Sequence, residues 1–173
     1  MPIVATDLLQ FMSPSGNTDP NLCLGGTISA TQITDNVDNN LFDDVTGTEA
    51  SAGDTEYRGR YFKNNHATLE LITARVFIAT QTTSADDAVS IGKDPAGSGD
   101  GSTTGIMATI ANESTAPAGV SFSAPATYGA GIDLLVMTAL KVHGVWDRRI
   151  VSAGAVAINA NQYQVTIQGE TGA

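Results

Sequence analysis

The chain is an acidic polypeptide of 173 residues, long enough for one domain with a substantial core. Hydrophobic residues make up 42% and charged residues 15%, with 18 glycines, a balance typical of short strands joined by small-residue turns. The net charge of -10, from 18 acids against 8 bases, argues against nucleic acid and anionic membranes as partners, because both select Lys and Arg.

Residues 1–20 are predicted to form an extended N-terminal arm ahead of a single sandwich domain at residues 21–173. Turn residues at 13–20 separate the two. The arm can tuck under its own sandwich or pack on a neighbouring subunit, as exposed apolar segments often do. Its candidate contact residues are Ile3, Val4, Leu8, Leu9 and Phe11. The segment lacks the basic start of a signal peptide, and no run approaches the length of a membrane span.

Residues 22–33 are predicted to form an edge strand with a bend at Gly25-Gly26. Residues 35–54 are acidic and turn-forming, and their inward anchors are predicted to be Leu41, Phe42 and Val45. The acids of this segment raise the question of calcium. However, Val37 and Phe42 stand where an EF-hand loop needs oxygen donors, so we favour Asp and Asn side chains that cap their own backbone.

The clearest β pattern lies at residues 56–80. Tyr57 and Tyr61 share one strand face, whereas Glu56, Arg58 and Arg60 share the other. A polar break at 63–66 follows, and a second apolar run begins at Leu69. The two runs are predicted to form a hairpin. The apolar phase of the second run then changes to Ala74, Val76 and Ile78, which predicts a β-bulge near Ile72-Thr73.

The remaining chain predicts further short strands. These are residues 88–91, 106–110, 120–122, 142–150 and 163–167, the last two being predicted as adjacent strands. Residues 93–105 are predicted to be a flexible loop, and residues 132–140 a short helical crossover. The fold class is therefore all-β, an antiparallel β-sandwich of seven or eight strands with at most one short helix.

No sequence pattern points to catalysis, a cofactor or a metal. Ala96-Gly97-Ser98-Gly99 lacks the first glycine of a nucleophile elbow, and one cysteine (Cys23) with two dispersed histidines supplies no zinc spacing. His66 and His143 are predicted to be solvated surface residues. Trp146 is predicted to lie in the core and Arg149 to be an exposed contact, with Arg148 and Arg149 pairing with Glu70 or the acidic loops. We therefore expect a non-enzymatic protein with no small-molecule substrate.

Four segments together resemble a group of tailed-bacteriophage virion proteins. They are Gly53-Asp-Thr-Glu-Tyr-Arg58, Tyr61-Phe-Lys-Asn-Asn65, Arg75-Val-Phe-Ile78 and Val145-Trp-Asp-Arg-Arg149, the last followed by an Ala-Gly-Ala turn. The resemblance covers roughly residues 44–169. It implies an immunoglobulin-like or jelly-roll-like sandwich that serves as a capsid decoration (cement) protein on the virion surface, assembled in the host cytoplasm. It brings no catalytic residues.

The partners that this resemblance implies are the major capsid protein or other virion subunits, and further copies of the chain in a homo-oligomer. A tail, baseplate or fibre module is an alternative on the same fold. A carbohydrate-binding module is a third, although it needs exposed aromatic rings. Arg58, Arg60 and Arg149 join the arm as candidate contacts. Because residues 1–57 hold no base other than the terminus, we predict that Arg58, Arg60 and Arg75 balance acidic loops or neighbouring subunits.

Overall fold

Nine strands account for most of the regular structure in residues 2–159 and 161–172, which this computed structural model describes. They are β1 (Leu8–Met12), β2 (Gly25–Gly26), β3 (Asp54–Asn64), β4 (Leu71–Thr80), β5 (Asp87–Gly99), β6 (Met107–Thr109), β7 (Ile132–Met137), β8 (Val142–Val151) and β9 (Gln164–Thr171). One α-helix, α1 (Gly47–Ala52), and three short 3-10 turns (Ala5–Asp7, Pro20–Leu22, Tyr128–Ala130) complete the described elements. Thr46 and Glu49 form a reciprocal capping box that starts α1.

The strands form an antiparallel β-sandwich, as the sequence predicts. A four-stranded sheet has the order β1-β3-β8-β5, and a three-stranded sheet has the order β7-β4-β9. The small β2-β6 pair lies outside both sheets. Apolar side chains from the two large sheets meet in one core cluster, which includes Phe62 and Val145 from the first sheet and Val76 and Ile78 from the second. Burying such side chains provides the main driving force for folding.

The predicted hairpin at residues 56–80 is wrong, because its two strands belong to different sheets. β3 pairs with β1 and β8, whereas β4 pairs with β7 and β9. The polar break between them crosses from one sheet to the other. Asn64 fixes this crossing by donating its side-chain amide to the carbonyls of Leu69 (2.8 Å) and Met137 (2.9 Å). The predicted pairing of the last two strands fails in the same way, since β8 and β9 also lie in different sheets.

The predicted bulge in β4 is confirmed. The pairing register shifts between Leu71 and Ala74, and Thr73 has a φ of 50°. The bulge also explains why the predicted helix at 132–140 is wrong. The facing strand β7 pairs with the bulged segment, and its own Leu135 has a φ of 63°, so its buried residues are Leu134 and Met137. A spacing of three imitates helical periodicity.

Three other predictions are corrected in part. The edge strand at 22–33 shortens to Gly25–Gly26, and β5 runs through Gly99, so it occupies half of the segment predicted as a flexible loop. Leu41 and Phe42 are buried as predicted, but Val45 is exposed. The apolar anchors of the acidic loop are therefore two adjacent residues, Leu41 and Phe42.

The N-terminal segment tucks onto its own sandwich. β1 pairs with β3 from Leu8↔Asn64 to Met12↔Arg60. Residues 29–33 cover the outer edge of β1, where Met12 N–H donates to Thr31 O (3.0 Å) and Ile33 N–H donates to Gln10 O (2.9 Å). An edge strand covered in this way is closed to pairing with another chain.

Trp146 is fully buried, as predicted. It lies on the outer face of the four-stranded sheet, the face turned away from the three-stranded sheet. Its indole N–H donates to Asp94 Oδ2 (2.8 Å), which also accepts the N–H of Ala108 (3.1 Å). The neighbouring strand has Gly59 at the matching position, where a Cβ would come within 2.9 Å of Met107 Cε. One buried carboxylate thus links β5, β6 and β8.

Replacing Asp94 tests this link. We expect Asp94→Ala to lower the free energy of unfolding by about 2–4 kcal/mol, because it leaves the buried indole N–H of Trp146 and the part-buried N–H groups of Ala96 and Ala108 without their acceptor. Asp94→Asn keeps one carbonyl oxygen and should lose about half as much. Urea denaturation of the three proteins measures both values, and equal losses for Ala and Asn would contradict the assigned role.

Candidate functional site

Five charged side chains lie buried on the face of the four-stranded sheet that looks toward the three-stranded sheet. This charge cluster consists of Glu56, Arg58 and Arg60 on β3, and Asp147 and Arg149 on β8. The antiparallel register sets Glu56 opposite Arg149 and Arg58 opposite Asp147. Alternate residues of a strand share a face, so the opposite charges of the two strands are brought together by the pairing itself.

The cluster is held by short ion pairs. Arg60 Nη2 lies 2.6 Å from Asp147 Oδ1, and Arg149 Nε donates to Glu56 Oε2 at 2.6 Å. Arg58 Nη2 contacts Glu56 Oε1 at 3.3 Å and also pairs with Glu113, which approaches from the loop after β6. Ion pairs of this kind hold their geometry only when the charges are well matched, because desolvation is costly.

The acidic loop before α1 is attached to the cluster. Phe42 lies under two guanidinium groups, with Arg149 Cζ 4.9 Å and Arg58 Cζ 5.6 Å from its ring centroid. The carbonyl of Asp43 accepts a hydrogen bond from Arg149 Nη1 at 2.6 Å. Cation–π contacts and a charge-assisted hydrogen bond thus hold a loop that otherwise carries mostly exposed polar residues.

Burial is the largest influence on the pKa values of the two carboxylates in the cluster, and it raises both. It raises the pKa of Glu56 above its ordinary value, although Arg149 and Arg58 lower it in part. It likewise raises the pKa of Asp147, against the opposing effect of Arg60. Asp147 Oδ2 and Arg60 Nε have no hydrogen-bond partner among the described residues. The cluster is therefore a structural element with a net electrostatic cost rather than a fully satisfied network.

The three arginines predicted as contacts with other subunits do not lie on the surface. Arg58, Arg60 and Arg149 are all buried, so the prediction that Arg149 is an exposed contact is wrong. Their face looks inward because both faces of β3 are covered. The prediction that Arg58 and Arg60 balance acidic loops agrees with the pairs of Arg58, which reaches Asp43 of the acidic loop at 4.0 Å and Glu113 of the loop after β6, whereas Arg60 pairs within the sheet. Arg149 pairs with Asp43, which confirms the predicted pairing with the acidic loop, and its partner within the sheet is Glu56 rather than Glu70. Arg75 instead donates to the carbonyl of Gly129.

The arm residues named as candidate contacts have mixed exposure. Ile3 and Leu8 are half-buried and pack against the main core, and Leu9 is also half-buried. Phe11 is half-buried against the Trp146 cluster. Val4, by contrast, is 52% exposed. Only Val4 thus presents most of its side chain to a partner in this structure.

His143 is buried, which contradicts the prediction of a solvated surface histidine. It faces Phe62 across the β3–β8 pair, on the same inner face as Val145. Burial lowers the pKa of its imidazole. Polar neighbours in the sequence misled the prediction, since the polar residues Asp147 and Arg149 on its face are buried as well.

A large cleft opens beside the charge cluster, between the edge strands of the two sheets. This side cleft has a volume of about 1320 Å³. It is lined by Leu8 and Gln10 of β1, by residues 164–167 of β9, by the acidic loop 35–47, and by residues 155–159. Arg60 and Arg149 form part of its floor. The volume exceeds that of an ordinary small-molecule pocket, which suits a larger ligand.

The described residues hold no group of three or more His, Cys, Asp or Glu side chains arranged to bind a metal ion. Over the same residues, no helix combines the length and the apolar character needed to cross a bilayer. The acidic loop uses positive φ at Asn36 (58°) and Asn39 (56°), a conformation that Asn tolerates in turns.

Comparison with known proteins adds no relative. No protein-family model matches the chain, and neither the curated proteins nor the solved structures gave a match. What the chain does must therefore be argued from its own residues.

Breaking one ion pair of the cluster should be costly at neutral pH. We expect Arg60→Met to lower the free energy of unfolding by about 3–5 kcal/mol, because it leaves Asp147 charged, buried and unpaired. Arg60→Met combined with Asp147→Leu should recover most of this loss. Chemical denaturation of the single and double variants measures the coupling, and additive losses would contradict it.

The same variant predicts a pH dependence. Asp147 already has a raised pKa in the folded protein, and losing Arg60 raises it further. The folded state then binds a proton more readily than the unfolded state, so stability increases as the pH falls. The cost of Arg60→Met should shrink as the pH drops through the raised pKa toward 3.8. A cost that stays constant over that range would show that repacking, not charge, causes it.

His143 should oppose this trend at higher pH. Its lowered folded pKa means that the unfolded state binds the proton first as the pH falls below 6.5. Stability should therefore decrease below pH 6.5, with a slope of at most about 1.4 kcal/mol per pH unit. His143→Gln should lack that decrease, which denaturation between neutral and mildly acidic pH would reveal.

Proposed function

We propose that this protein is a non-enzymatic structural component of a bacteriophage virion, namely a capsid decoration protein that binds the outer shell and stabilises contacts between capsid subunits. The observation that carries the proposal is where the phage-like segments lie. Two of them, Gly53–Arg58 and Val145–Arg149, lie largely within the paired strands β3 and β8 and supply four of the five residues of the charge cluster. The resemblance therefore concerns the central strand pair of the four-stranded sheet.

Three exposed apolar residues in β7 and in the turn after it, here called the β7 patch, support a binding role. Leu135, Val136 and Leu140 are 63%, 41% and 51% exposed, close together in the sequence. Leu135 and Leu140 also have positive φ values of 63° and 62°. A leucine is uncommon in that conformation, which costs on the order of 1 kcal/mol or more. Apolar side chains held outward at such a cost are typical of a surface that contacts another protein.

The aromatic residues do not favour the carbohydrate-binding alternative. All ten Phe, Tyr and Trp side chains lie in the described part of the chain, and each is buried or half-buried. A sugar-binding sheet needs at least one exposed ring for stacking. Trp146, the usual first choice, is fully enclosed.

The β7 patch offers a direct test of shell binding. We expect Leu135→Asn with Leu140→Asn to weaken binding to empty capsid shells at least about tenfold, the equivalent of 1.4 kcal/mol. Asn is well tolerated at positive φ, so the fold should be retained. Leu22→Asn, which changes another exposed leucine (55%), is the matched control and should bind normally. Cosedimentation with shells lacking this protein measures the effect.

Localisation separates the head from the alternatives. Electron microscopy of purified particles with an antibody against this chain should label the capsid surface. Label confined to the tail, baseplate or fibre would replace the proposal with the tail module. Absence from purified particles would reject a virion role altogether.

A further inference from the structure

We propose that the side cleft is a docking groove for an extended, basic segment of a different protein, which adds as a strand to the free edge of β9. The inference goes beyond the proposed function and rests on it only in taking the partner to be a neighbouring virion subunit. A basic peptide strand fits the cleft because the cleft combines an open sheet edge with an excess of carboxylates.

The open edge belongs to β9. This strand is the last in the order β7-β4-β9, and β4 is its only strand partner within residues 2–159 and 161–172. Among the described residues, no backbone hydrogen bond reaches residues 164–168 from the other side. Alternate residues of an edge strand direct their N–H and C=O groups outward, which makes the edge a template for another strand. Residues 164–167 also line the side cleft, so the free edge faces the groove.

The edge strand on the opposite wall of the cleft is covered, in contrast to β9. β1, the edge strand across the cleft, is covered by residues 29–33 through backbone hydrogen bonds at Gln10 and Met12. The fold thus closes one edge with its own chain and leaves the other uncovered. Strand addition to an exposed edge is a recurring way to bind a peptide, with backbone hydrogen bonds giving affinity and side-chain pockets giving specificity.

The charge of the cleft selects a basic occupant. The two arginines in its floor are already paired, Arg60 with Asp147 and Arg149 with Glu56. Three carboxylates of the lining loop, Asp35, Asp38 and Asp44, form no ion pair with any described residue. Lys or Arg side chains on an incoming strand would meet these carboxylates, and electrostatic complementarity of this kind steers association.

Asp87 adds an acceptor inside the cleft. Its Oδ2 accepts from Asn161 (2.7 Å), but its buried Oδ1 has no partner among the described residues. A buried carboxylate oxygen without a donor is costly, and a donor from a ligand would relieve that cost.

A second copy of this chain is a poor occupant. The chain carries a net charge of -10, and its acidic loop would meet like charge on another copy. The proposal therefore names a heterologous partner. The contacts between copies, if the protein oligomerises, are expected elsewhere on its surface.

The test uses the isolated protein and labelled synthetic peptides of about ten residues, the length of a long strand. The probe alternates Val and Lys. One control alternates Val and Glu, and another is the Val/Lys peptide with every second backbone nitrogen methylated. We expect the probe to bind at least about tenfold more tightly than either control by fluorescence anisotropy. Hydrogen exchange should slow at alternate amides of residues 164–168 when the probe is bound.

Charge variants locate the binding. Asp38→Asn with Asp44→Asn removes two unpaired carboxylates from the cleft and should weaken the Val/Lys probe several-fold. Asp54→Asn with Glu70→Gln removes the same charge outside the cleft lining and should leave its affinity unchanged. The inference is overturned if the Asp54/Glu70 variant loses as much affinity for the probe as the Asp38/Asp44 variant, or more.

Three results reject strand addition. Equal binding of the methylated peptide would show electrostatic attraction without backbone pairing. Equal binding of the Glu peptide would remove the charge argument. No protection along β9 at about millimolar probe, where a weak complex still forms, would show that the edge does not accept a strand. Each result leaves capsid localisation untouched, since that is decided on particles.

Discussion

The pairing of β3 with β8 is the constraint on which the rest of this structure depends. Ten register positions join the two strands in the middle of the four-stranded sheet. On one face they bring opposite charges together in the charge cluster, and on the other they set Gly59 beside Trp146. A shift of β3 by one residue would move its three charges to the face that holds Trp146 and separate them from Asp147 and Arg149. The ion pairs therefore specify the register even where they add little to the stability.

The loops depend on this pair as well. Arg149 holds the acidic loop through Phe42 and Asp43, Arg58 holds the loop after β6 through Glu113, and Asp94 joins the glycine-rich part of β5 to Trp146. A chain with a single, buried cysteine has no disulfide to fasten its loops. Buried charges and one buried carboxylate fulfil that purpose here, at the expense of the desolvation that raises the pKa of Glu56 and Asp147.

The sequence predicted the sandwich, the bulge and the buried tryptophan because these depend on periodicity within one segment. It did not predict which strands pair, since alternation reports the face of a residue and not the identity of its neighbour. Both faces of β3 are covered, so Glu56, Arg58 and Arg60 were expected outside and lie inside. One signal was available: the acid–base order at 56–60 is complementary to Asp147 and Arg149 in an antiparallel pair. The exposure of Leu135 and Leu140 was not predicted, because the spacing of three between the buried residues of β7 resembles the periodicity of a helix.

Which sheet edges can accept a partner strand depends on whether the chain covers them. Where the chain returns to cover an edge, as residues 29–33 do at β1, no partner can pair there. At β9 the edge is left uncovered, and the cleft beside it is lined by Asp35, Asp38 and Asp44, which form no ion pair within the described part of the chain. Positive charge is scarce in this protein, and the arginines that could fill that role are committed to β3 and β8. The same allocation of charge that fixes the register of the central strands thus leaves an acidic groove open, and a basic strand is the group that completes it.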